Sequence, residues 1–413
     1  MAVAIIPEMT SRLRVALVNR LDTENVRVLS GTPYFMAKAL ERQSIEVTTL
    51  GPMQSPWMKA GRYLNGAARF LGKRYDWTHS VAGSRDLGRK FSVRLNAADY
   101  DVIFAPVAST EIAYLKTLLP IVYLTDMTFK LAVSYYDSFS NLLPFTSAEG
   151  PEIERRAVKQ AVRVVVPSEW AARSLMEDYH CSPEKIAVIP FGVNLGDPPS
   201  REEALNERPS DVCRLLLLGV SWERKGGPLA LQVLESLLKS GIKAELLVCG
   251  CKPPAGVSHP SMRVLPFLSK DKPEEARQLR ELLLTSTFLL LPSRSEALGI
   301  VFGEASACGL PSVTRDTGGI SSVVRHGVNG LCLSAEASAD EYSRAILELL
   351  RNPARYRALQ VSSRDEFEGR LNWDSWALRM KEIFVSLQPS ARRHSGPIPK
   401  KTGAEEIGAT TVR

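Results

Sequence analysis

The sequence of 413 residues lacks a long apolar run, because no stretch without a charged side chain is longer than the 12 positions of residues 282–293. A membrane-spanning helix needs about 20 predominantly apolar residues, so we expect no transmembrane segment. The first 12 residues have no basic start and only a short apolar run, so we expect no signal peptide. Cysteine is also scarce: the six cysteines are scattered along the chain, which favours reduced thiols in a cytoplasmic protein.

Acidic residues are few between residues 55 and 95, where nine lysines and arginines stand against Asp76 and Asp86. The whole chain has a formal net charge of +7 and no basic surface spread along a fold typical of nucleic-acid binding, so we expect no nucleic-acid partner. Residues 56–77 interleave aromatic and aliphatic side chains with cations, as basic amphipathic helices on membranes do. We expect either peripheral contact with an anionic membrane through residues 56–94, or a helix whose cations are solvated or bind an anionic acceptor.

Short β-rich runs alternate with helical patterns along most of the chain, which is typical of parallel sheets covered by helices. Twelve strands are predicted, at 13–19, 45–50, 101–106, 121–125, 163–167, 185–190, 214–219, 245–250, 262–267, 287–293, 311–314 and 330–334. Helices are predicted at 32–43, 109–117, 152–162 and 168–179 in the first half.

The Pro-rich, charged segment 196–211 interrupts this pattern and is predicted to be a linker. We therefore expect an α/β protein with two doubly wound domains, 12–195 and 212–369, that face each other across a cleft. An amphipathic helix is expected within 370–388, and residues 389–413 are expected to lack fixed structure.

Two cations precede a glycine-rich helix start after the first strand of the second half. That strand ends at Gly219, and Arg224 and Lys225 lead into a Gly-Gly-Pro sequence and the next helix. Backbone N–H groups and the helix dipole favour an anion at such a position, so the pattern predicts a phosphate site. The alternative is a basic turn that is merely solvated.

Two glutamates follow the strand at 287–293. Glu296 and Glu304 are eight residues apart, and a helix is expected to begin near Ile300 with its free N–H groups directed at the cleft. Carboxylates accept hydrogen bonds from sugar hydroxyls, while N–H groups and cations bind phosphates, so the arrangement suits a ligand that carries both. The alternative is that Glu304 caps its helix and Glu296 is solvated.

Two further segments reach the same edge of the second sheet. The Gly-Gly turn at 318–319 supplies backbone donors, and the exit of strand 262–267 places the backbone near Phe267 and Leu268 along a nucleobase. In their order along the chain, G-VSWERKGG, SEALG-IVFGEASACGLP and DTGGI resemble the C-terminal half of the GT-B glycosyltransferases of family 4, whose signature is the spacing of Glu296 and Glu304.

The resemblance covers roughly residues 13–387 and implies two tandem Rossmann-like domains, with a C-terminal helix that crosses back to the first. It implies a nucleotide-sugar donor in the second domain and a glycan, lipid-linked or small-molecule acceptor in the first. Transfer of a hexose-type sugar is expected to retain the anomeric configuration and to need no metal or other cofactor. The implied roles are diphosphate neutralisation by Arg224 and Lys225, ribose binding by Glu304, sugar binding by Glu296 and the backbone of Leu298, Gly299 and Ile300, and further donor contacts at Gly219, Gly31 and Thr32.

The sequence departs from the family pattern at two positions. Family members commonly place a histidine after a first-domain strand to contact the donor sugar, whereas this chain has Thr125 and Asp126 there, and none of its five histidines is expected to fill the place. Asp126 is predicted to make that contact, to orient the acceptor, or to cap the following segment. Val220 replaces a family arginine, which leaves the cationic role to Arg224.

These departures keep other functions open. A sugar-nucleotide epimerase and a non-catalytic partner subunit are the alternatives, and an inverting transferase would need a general base, for which Asp126 is the candidate. Three motifs are not expected to act. No G-x-G-x-x-G follows a strand, Cys249 and Cys251 have no second pair for zinc, and the D-x-D sequence at Asp99 and Asp101 precedes a strand, away from the cleft.

Overall fold

The computed structural model describes residues 12–208 and 211–388, which form two parallel sheets of six strands each. The strands of the first sheet are β1 (Arg14–Leu17), β2 (Glu46–Thr49), β3 (Val102–Pro106), β4 (Ile121–Leu124), β5 (Arg163–Val166) and β6 (Ile186–Val188). Those of the second are β7 (Cys213–Leu218), β8 (Ala244–Cys249), β9 (Met262–Leu265), β10 (Phe288–Leu291), β11 (Ser312–Arg315) and β12 (Gly330–Leu333). All twelve predicted strands are confirmed, each to within two residues at either end.

The strand order places one reversal in each sheet. The first sheet has the order β2-β1-β3-β4-β5-β6 and the second β12-β11-β10-β7-β8-β9. The chain therefore changes direction across the sheet between β1 and β3, and again between β7 and β10. Ligands of doubly wound sheets bind beyond the carboxyl ends of the strands at such reversals, which defines two places for a site.

Helices cover both faces of the sheets, so strands such as β3 and β10 are buried along their whole length. The helices are α1 (Thr32–Arg42), α2 (Pro56–Phe70), α3 (Val81–Leu95), α4 (Ser109–Ile112), α5 (Phe129–Ala132), α6 (Pro144–Gln160), α7 (Glu169–Tyr179), α8 (Arg201–Ala204), α9 (Gly227–Lys239), α10 (Pro273–Thr285), α11 (Ile300–Ala307), α12 (Ile320–Val323), α13 (Ala339–Leu350), α14 (Pro353–Gly369) and α15 (Trp373–Ser386). Within the described ranges, every helix is too short or too polar to cross a bilayer.

Two helix predictions for the first half need correction. The helix expected at 109–117 ends at Ile112. The helix expected at 152–162 begins at Pro144 instead, because proline suits the first helical turn, and Pro151 is accommodated inside the helix.

The segment predicted to be a linker is packed rather than extended. It contains the short helix α8, and the guanidinium of Arg208 is buried, where it donates to the carbonyl oxygen of Cys308 at 2.6 Å and to that of Leu284. Residues 209 and 210 lie outside the described part of the chain. The segment thus contributes to the packing of the second domain.

The C-terminal helix α15 packs against α1 of the first domain. Trp376 lies on the ring of Phe104 in β3, with 6.0 Å between the ring centroids. Trp373 donates from Nε1 to Oδ1 of Asn194 at 3.0 Å. The tail predicted to lack structure, 389–413, lies outside the described residues.

Candidate active site between the two sheets

Two glycines allow close packing around Lys225, which follows β7. A Cβ atom on Gly219, which follows β7, would lie 2.6 Å from Cγ of Lys225. Gly226 has the left-handed φ of +77° before α9, and a Cβ there would lie 2.1 Å from the carbonyl oxygen of Pro292. The lysine is only 7% exposed, so its ammonium group is directed by packing rather than free in solvent.

Glu296 accepts hydrogen bonds from both of the cations that the sequence singled out. Its Oε2 bonds with Nζ of Lys225 and lies 3.3 Å from Nη1 of Arg224. Arg224 also donates to the carbonyl oxygen of Ser295 at 3.0 Å and lies 6.0 Å from the ring centroid of Tyr136. Two cations share one carboxylate, so the group keeps a surplus positive charge beside the strand-order reversal between β7 and β10.

The helix α11 begins beside this charged group. Gly299 precedes it with φ +83°, Ile300 is its first residue, and no side chain caps it. The N–H of Phe302 donates to the carbonyl oxygen of Gly299 at 3.0 Å, so the N–H groups of Ile300 and Val301 are the ones available to an anion. Glu304 is therefore not the cap of α11. It is buried one turn into the helix, where its Oε1 accepts a hydrogen bond from Nζ of Lys270. The side chain of Leu298 belongs to the core, which leaves only its backbone for a ligand.

Lys270 is a residue of this region that the sequence analysis missed. It follows β9 in the segment that also holds Phe267, whose ring is exposed, and Leu268, which is buried. A Cβ on Gly250, after β8, would lie 2.9 Å from the carbonyl oxygen of Gly219 and 3.7 Å from the ring of Phe267. Phe267 therefore lies at the same edge as the end of β7, and its contact with a nucleobase stays a prediction.

Two adjacent tyrosines of the first domain bind the loop that carries Glu296, and sequence reasoning missed both. Oη of Tyr135 accepts the N–H of Glu296 at 2.9 Å, and Oη of Tyr136 accepts the N–H of Ala297 at 2.8 Å. The tyrosines follow α5, on the opposite side of the cleft. They therefore connect the two domains through the backbone of the loop.

The Gly-Gly turn at 318–319 supports this loop instead of offering all of its donors to a ligand. The N–H of Gly319 donates to the carbonyl oxygen of Glu296 at 3.2 Å. A Cβ on Gly318, whose φ is +55°, would lie 2.0 Å from that same oxygen and 2.4 Å from Oη of Tyr135. The absence of side chains here allows the close approach of turn, loop and tyrosine.

The loop that precedes α1 in the first domain, residues 29–31, is held in a strained conformation by Asn194. Leu29, Ser30 and Gly31 have positive φ angles of 49°, 57° and 81° in succession. Nδ2 of Asn194 donates to the carbonyl oxygen of Ser30 at 2.7 Å and to Oγ1 of Thr32 at 3.3 Å. Gly31 and Thr32 thus lie at the start of α1, at the junction of the domains, and their contact with a donor stays a prediction.

Asp126 lines a cavity of about 140 Å³ at the carboxyl ends of β1, β3 and β4. It does not cap the helix that follows, because α5 is capped by Thr128, whose Oγ1 accepts the N–H of Leu131 at 3.3 Å. Burial, together with the negative charge of Glu296, raises the pKa of Asp126. The cavity lies at the strand-order reversal of the first sheet.

A histidine also lines this cavity, although no histidine follows the strand that precedes Asp126. His79 arrives from a single 3-10 turn before α3, and its Nδ1 lies 2.6 Å from Oδ2 of Asp76. Burial opposes the charged form of each group, but their hydrogen bond outweighs it, so the pKa of His79 is raised and that of Asp76 is lowered to about 2. Sequence reasoning missed His79 because its segment follows no strand.

Two buried carboxyl groups complete the cavity, and the sequence indicated neither. Oε1 of Glu154 accepts a hydrogen bond from Oη of Tyr123 at 2.8 Å, and burial raises the pKa of Glu154 to about 7. Oε1 of Glu111 accepts the N–H of Arg20 at 2.9 Å and lies 3.7 Å from its Nε. Burial raises the pKa of Glu111 as well.

Two of the motifs that were not expected to act can be located in the structure. Asp101 accepts the N–H of Arg14 at 2.8 Å, at the amino end of β1 and away from both strand-order reversals. Cys249 and Cys251 are buried thiols. Among residues 12–208 and 211–388, no three metal-ligating side chains come together.

Two family models match the chain, one in each half. The model described as Glycosyltransferase Family 4 matches residues 34–197, and the model described as Glycosyl transferases group 1 matches residues 203–365. These matches agree with the two doubly wound sheets and with the charged site at a strand-order reversal. Together, these observations define the class of the protein as GT-B glycosyltransferases. The chain belongs to family 4 of these proteins, as its motifs predicted.

Curated relatives match part of the chain. It is 27% identical over 248 residues to the D-inositol 3-phosphate glycosyltransferase of Thermobispora bispora, which covers 56% of this chain and 58% of that protein. The protein of the same name from Acidothermus cellulolyticus is 30% identical over 253 residues, 55% of this chain and 56% of that protein. The chain thus spans a little over half the length of these relatives.

Solved structures match most of the chain. Sucrose-phosphate synthase from Thermosynechococcus elongatus has a TM-score of 0.62 at 17% identity, over 91% of this chain and 99% of that one. WaaG, a glycosyltransferase involved in lipopolysaccharide biosynthesis, has 0.57 at 16%, over 90% and 100%. Anabaena Alr3699/HepE in complex with UDP and glucose has 0.54 at 15%, over 91% and 100%. At such identities these likenesses show the shared fold.

Proposed function

We propose that this protein transfers a hexose-type sugar from a nucleotide-diphosphate donor to a hydroxyl of a glycan, lipid or small-molecule acceptor, with retention of the anomeric configuration. The observation that carries the proposal is the cluster of Lys225, Arg224 and Glu296 beside the uncapped start of α11. It offers positive charge to a diphosphate and a carboxylate to sugar hydroxyls, at the edge where ligands of such sheets bind.

The positions of these groups suit the charge that develops in the reaction. Breaking the sugar–phosphate bond builds negative charge on the leaving diphosphate and positive charge on the anomeric carbon. Cations and N–H groups that are already oriented stabilise this separation without reorganising. Lys225 meets that requirement because its side chain is packed against Gly219. Donor binding would exchange part of its contact with Glu296 for a phosphate oxygen.

The remaining donor contacts are proposed around this centre. Glu304 would accept from the ribose hydroxyls, since Lys270 occupies Oε1 and a carboxylate has a second oxygen. The ring of Phe267 and the backbone of Leu268 would lie along the base. The other proposed contacts are the backbone of Leu298, Gly299 and Ile300 on the sugar, and of Gly219, Gly31 and Thr32 near the diphosphate.

A panel of nucleotide sugars, followed by thermal unfolding, tests the donor site. A donor at about 100 times its dissociation constant should stabilise the folded protein by ~2.7 kcal/mol. The variant Glu304→Gln should lose most of the stabilisation by nucleoside diphosphates. The variant Glu336→Gln, which changes an exposed glutamate after β12, should keep this stabilisation. If no nucleotide sugar raises the melting temperature, the proposal is wrong.

Product analysis distinguishes the proposed reaction from its alternatives. With an acceptor present, retention predicts that the new bond has the anomeric configuration of the donor, read from the anomeric proton by NMR. Inversion would point to a general base, for which half-buried Asp126 is the candidate. Release of an isomerised sugar without any acceptor would indicate an epimerase.

We also propose that helix α2 contacts an anionic membrane surface. Met58, Gly61 and Ala68 are its buried residues, while Trp57 and Tyr63 are exposed, and Phe70 and Leu71 at its end are 92% and 77% exposed. Four exposed cations surround them, Lys59, Arg62, Arg69 and Lys73, and residues 55–75 contain no acidic residue. Apolar rings between cations fit the boundary of a bilayer with anionic headgroups. A cytoplasmic location, which the six unpaired cysteines favour, would direct this helix at the inner leaflet.

Vesicle flotation measures this contact. The protein should float with phosphatidylcholine vesicles that contain phosphatidylglycerol and not with phosphatidylcholine alone, and added salt should weaken binding because it screens the charges. The double variant Phe70→Ser/Leu71→Ser should lose most of the binding. Leu118→Ser, which changes a fully exposed leucine elsewhere in the first domain, is the matched control. Equal flotation of all three proteins would argue against a role for α2.

A further inference from the structure

The cavity of the first domain contains more carboxyl groups than cations. It lies at the carboxyl ends of β1, β3 and β4, where an acceptor is expected if the second domain holds the donor. The charged groups that line it or lie directly behind it are four carboxyl groups, Asp76, Glu111, Asp126 and Glu154, and two basic groups, Arg20 and His79.

Each basic group of the cavity is already paired. Arg20 is bound to Glu111 through its backbone N–H and its guanidinium, and its guanidinium also lies 5.7 Å from the ring centroid of Trp77. His79 is bound to Asp76 through Nδ1. Neither cation is left to neutralise an entering anion, which would meet the remaining carboxyl groups in a poorly solvated space.

The other lining groups suit an uncharged ring with several hydroxyls. Neither Glu154 nor Asp126 forms an ion pair with a lysine or arginine among the described residues. Glu154 already accepts hydrogen bonds from Tyr123 and from the N–H of Phe129, and the lone pairs that remain on the two carboxyl groups can accept from hydroxyl donors. Phe129 and Phe139 supply apolar surface on another side, and the His79 ring is 4.9 Å from the Phe129 centroid. With Nδ1 of His79 taken by Asp76, the other ring nitrogen is the one left for a ligand.

The cavity has room for a ring-sized group. Its volume of 140 Å³ is about ten times the ~10–15 Å³ that a single water needs. A single monosaccharide or polyol unit is therefore enough to occupy it.

We infer that this cavity binds the acceptor as an uncharged sugar or polyol ring without phosphate, and that His79 and Glu154 determine this specificity. The inference rests on the proposed glycosyl transfer and specifies the acceptor class. It also separates this chain from the relatives named D-inositol 3-phosphate glycosyltransferases, since a phosphate on the ring has no unpaired cation to meet here.

Matched acceptor pairs test this inference on the full chain. The probes are glucose and glucose 6-phosphate, mannose and mannose 6-phosphate, and myo-inositol and D-inositol 3-phosphate, each supplied with a nucleotide sugar that the protein binds. We expect release of nucleoside diphosphate to be accelerated at least tenfold by a neutral member and not by its phosphorylated partner. Acceleration by phosphorylated members only, or by both equally, overturns the inference. So does a panel in which no member accelerates release, because one ring should fill the cavity.

Two variants connect the result to the cavity. Glu154→Gln and His79→Asn should each raise the KM for the neutral acceptor at least tenfold and leave the dissociation constant of the donor unchanged. Glu149→Gln, on the same helix but outside the cavity, should behave like the wild type. Unchanged KM values in both cavity variants contradict the inference. If the wild type binds no nucleotide sugar, the proposed function itself is wrong, so the two failures are distinguishable.

Discussion

Replacement of Lys225 by methionine is expected to lower the turnover number by ~10²–10³-fold, the usual effect of removing one fixed group that stabilises developing negative charge. Methionine has a similar length and keeps the packing against Gly219, so the change removes the charge and little else. The remaining cation, Arg224, lies 3.3 Å from Glu296 and would pair with it more fully. Turnover is measured at saturating donor and acceptor.

Lys239→Met is the matched control for this prediction. Lys239 is the last residue of α9, the helix that Lys225 precedes, and its side chain is exposed. The same chemical change there should leave turnover within about twofold, because the charge is solvated and far from the helix start. A Lys225→Met protein that retains full turnover would show that the lysine only supports the loop.

Replacement of Trp376 by alanine is expected to cost ~3–5 kcal/mol of folding free energy, the range for a large aromatic side chain removed from a core. Trp376 is 1% exposed in α15 and lies against Phe104 of β3 and against Trp373. The cost is large because this ring attaches the C-terminal helix to the sheet of the first domain. Chemical denaturation measures this loss of stability when it is followed by the backbone circular dichroism signal, which does not depend on the mutated tryptophan.

Leu378→Ala is the control that shows whether the loss of stability in Trp376→Ala comes from burial of the side chain or from a change in helix content. Leu378 lies in the same helix and is 52% exposed, so its loss should change the free energy of unfolding by about 0.5 kcal/mol or less. Trp376→Phe should fall between the two, since it keeps a ring and removes an indole N–H that has no partner among the described residues. Similar unfolding midpoints for Trp376→Ala and Leu378→Ala would mean that α15 is not docked as the structure shows.

The strands and the second-domain motifs were predictable because their signals are local. A parallel strand covered on both faces is a short apolar run, and Leu215–Leu218 or Phe288–Leu291 needs no partner to be recognised. The start of α11 at Ile300 was likewise readable from the glycine before it. The proline inside α6 could not be predicted, because Pro151 is tolerated only in the context of the folded helix.

The residues proposed to bind the donor could be recognised along the chain, whereas those proposed to bind the acceptor could not. Lys225 and Glu296 each follow a strand, and Glu304 lies one turn into a helix, so the amino-acid order alone determined that cations, carboxylates and free N–H groups would share one sheet edge. Only the tertiary structure brought His79 and Glu154 to the cavity at Asp126, and the hydroxyls of Tyr135 and Tyr136 to the backbone of the Glu296 loop. The physical reason is that periodicity and capping act over a few neighbouring residues, while these contacts join segments whose separation along the chain carries no regular spacing.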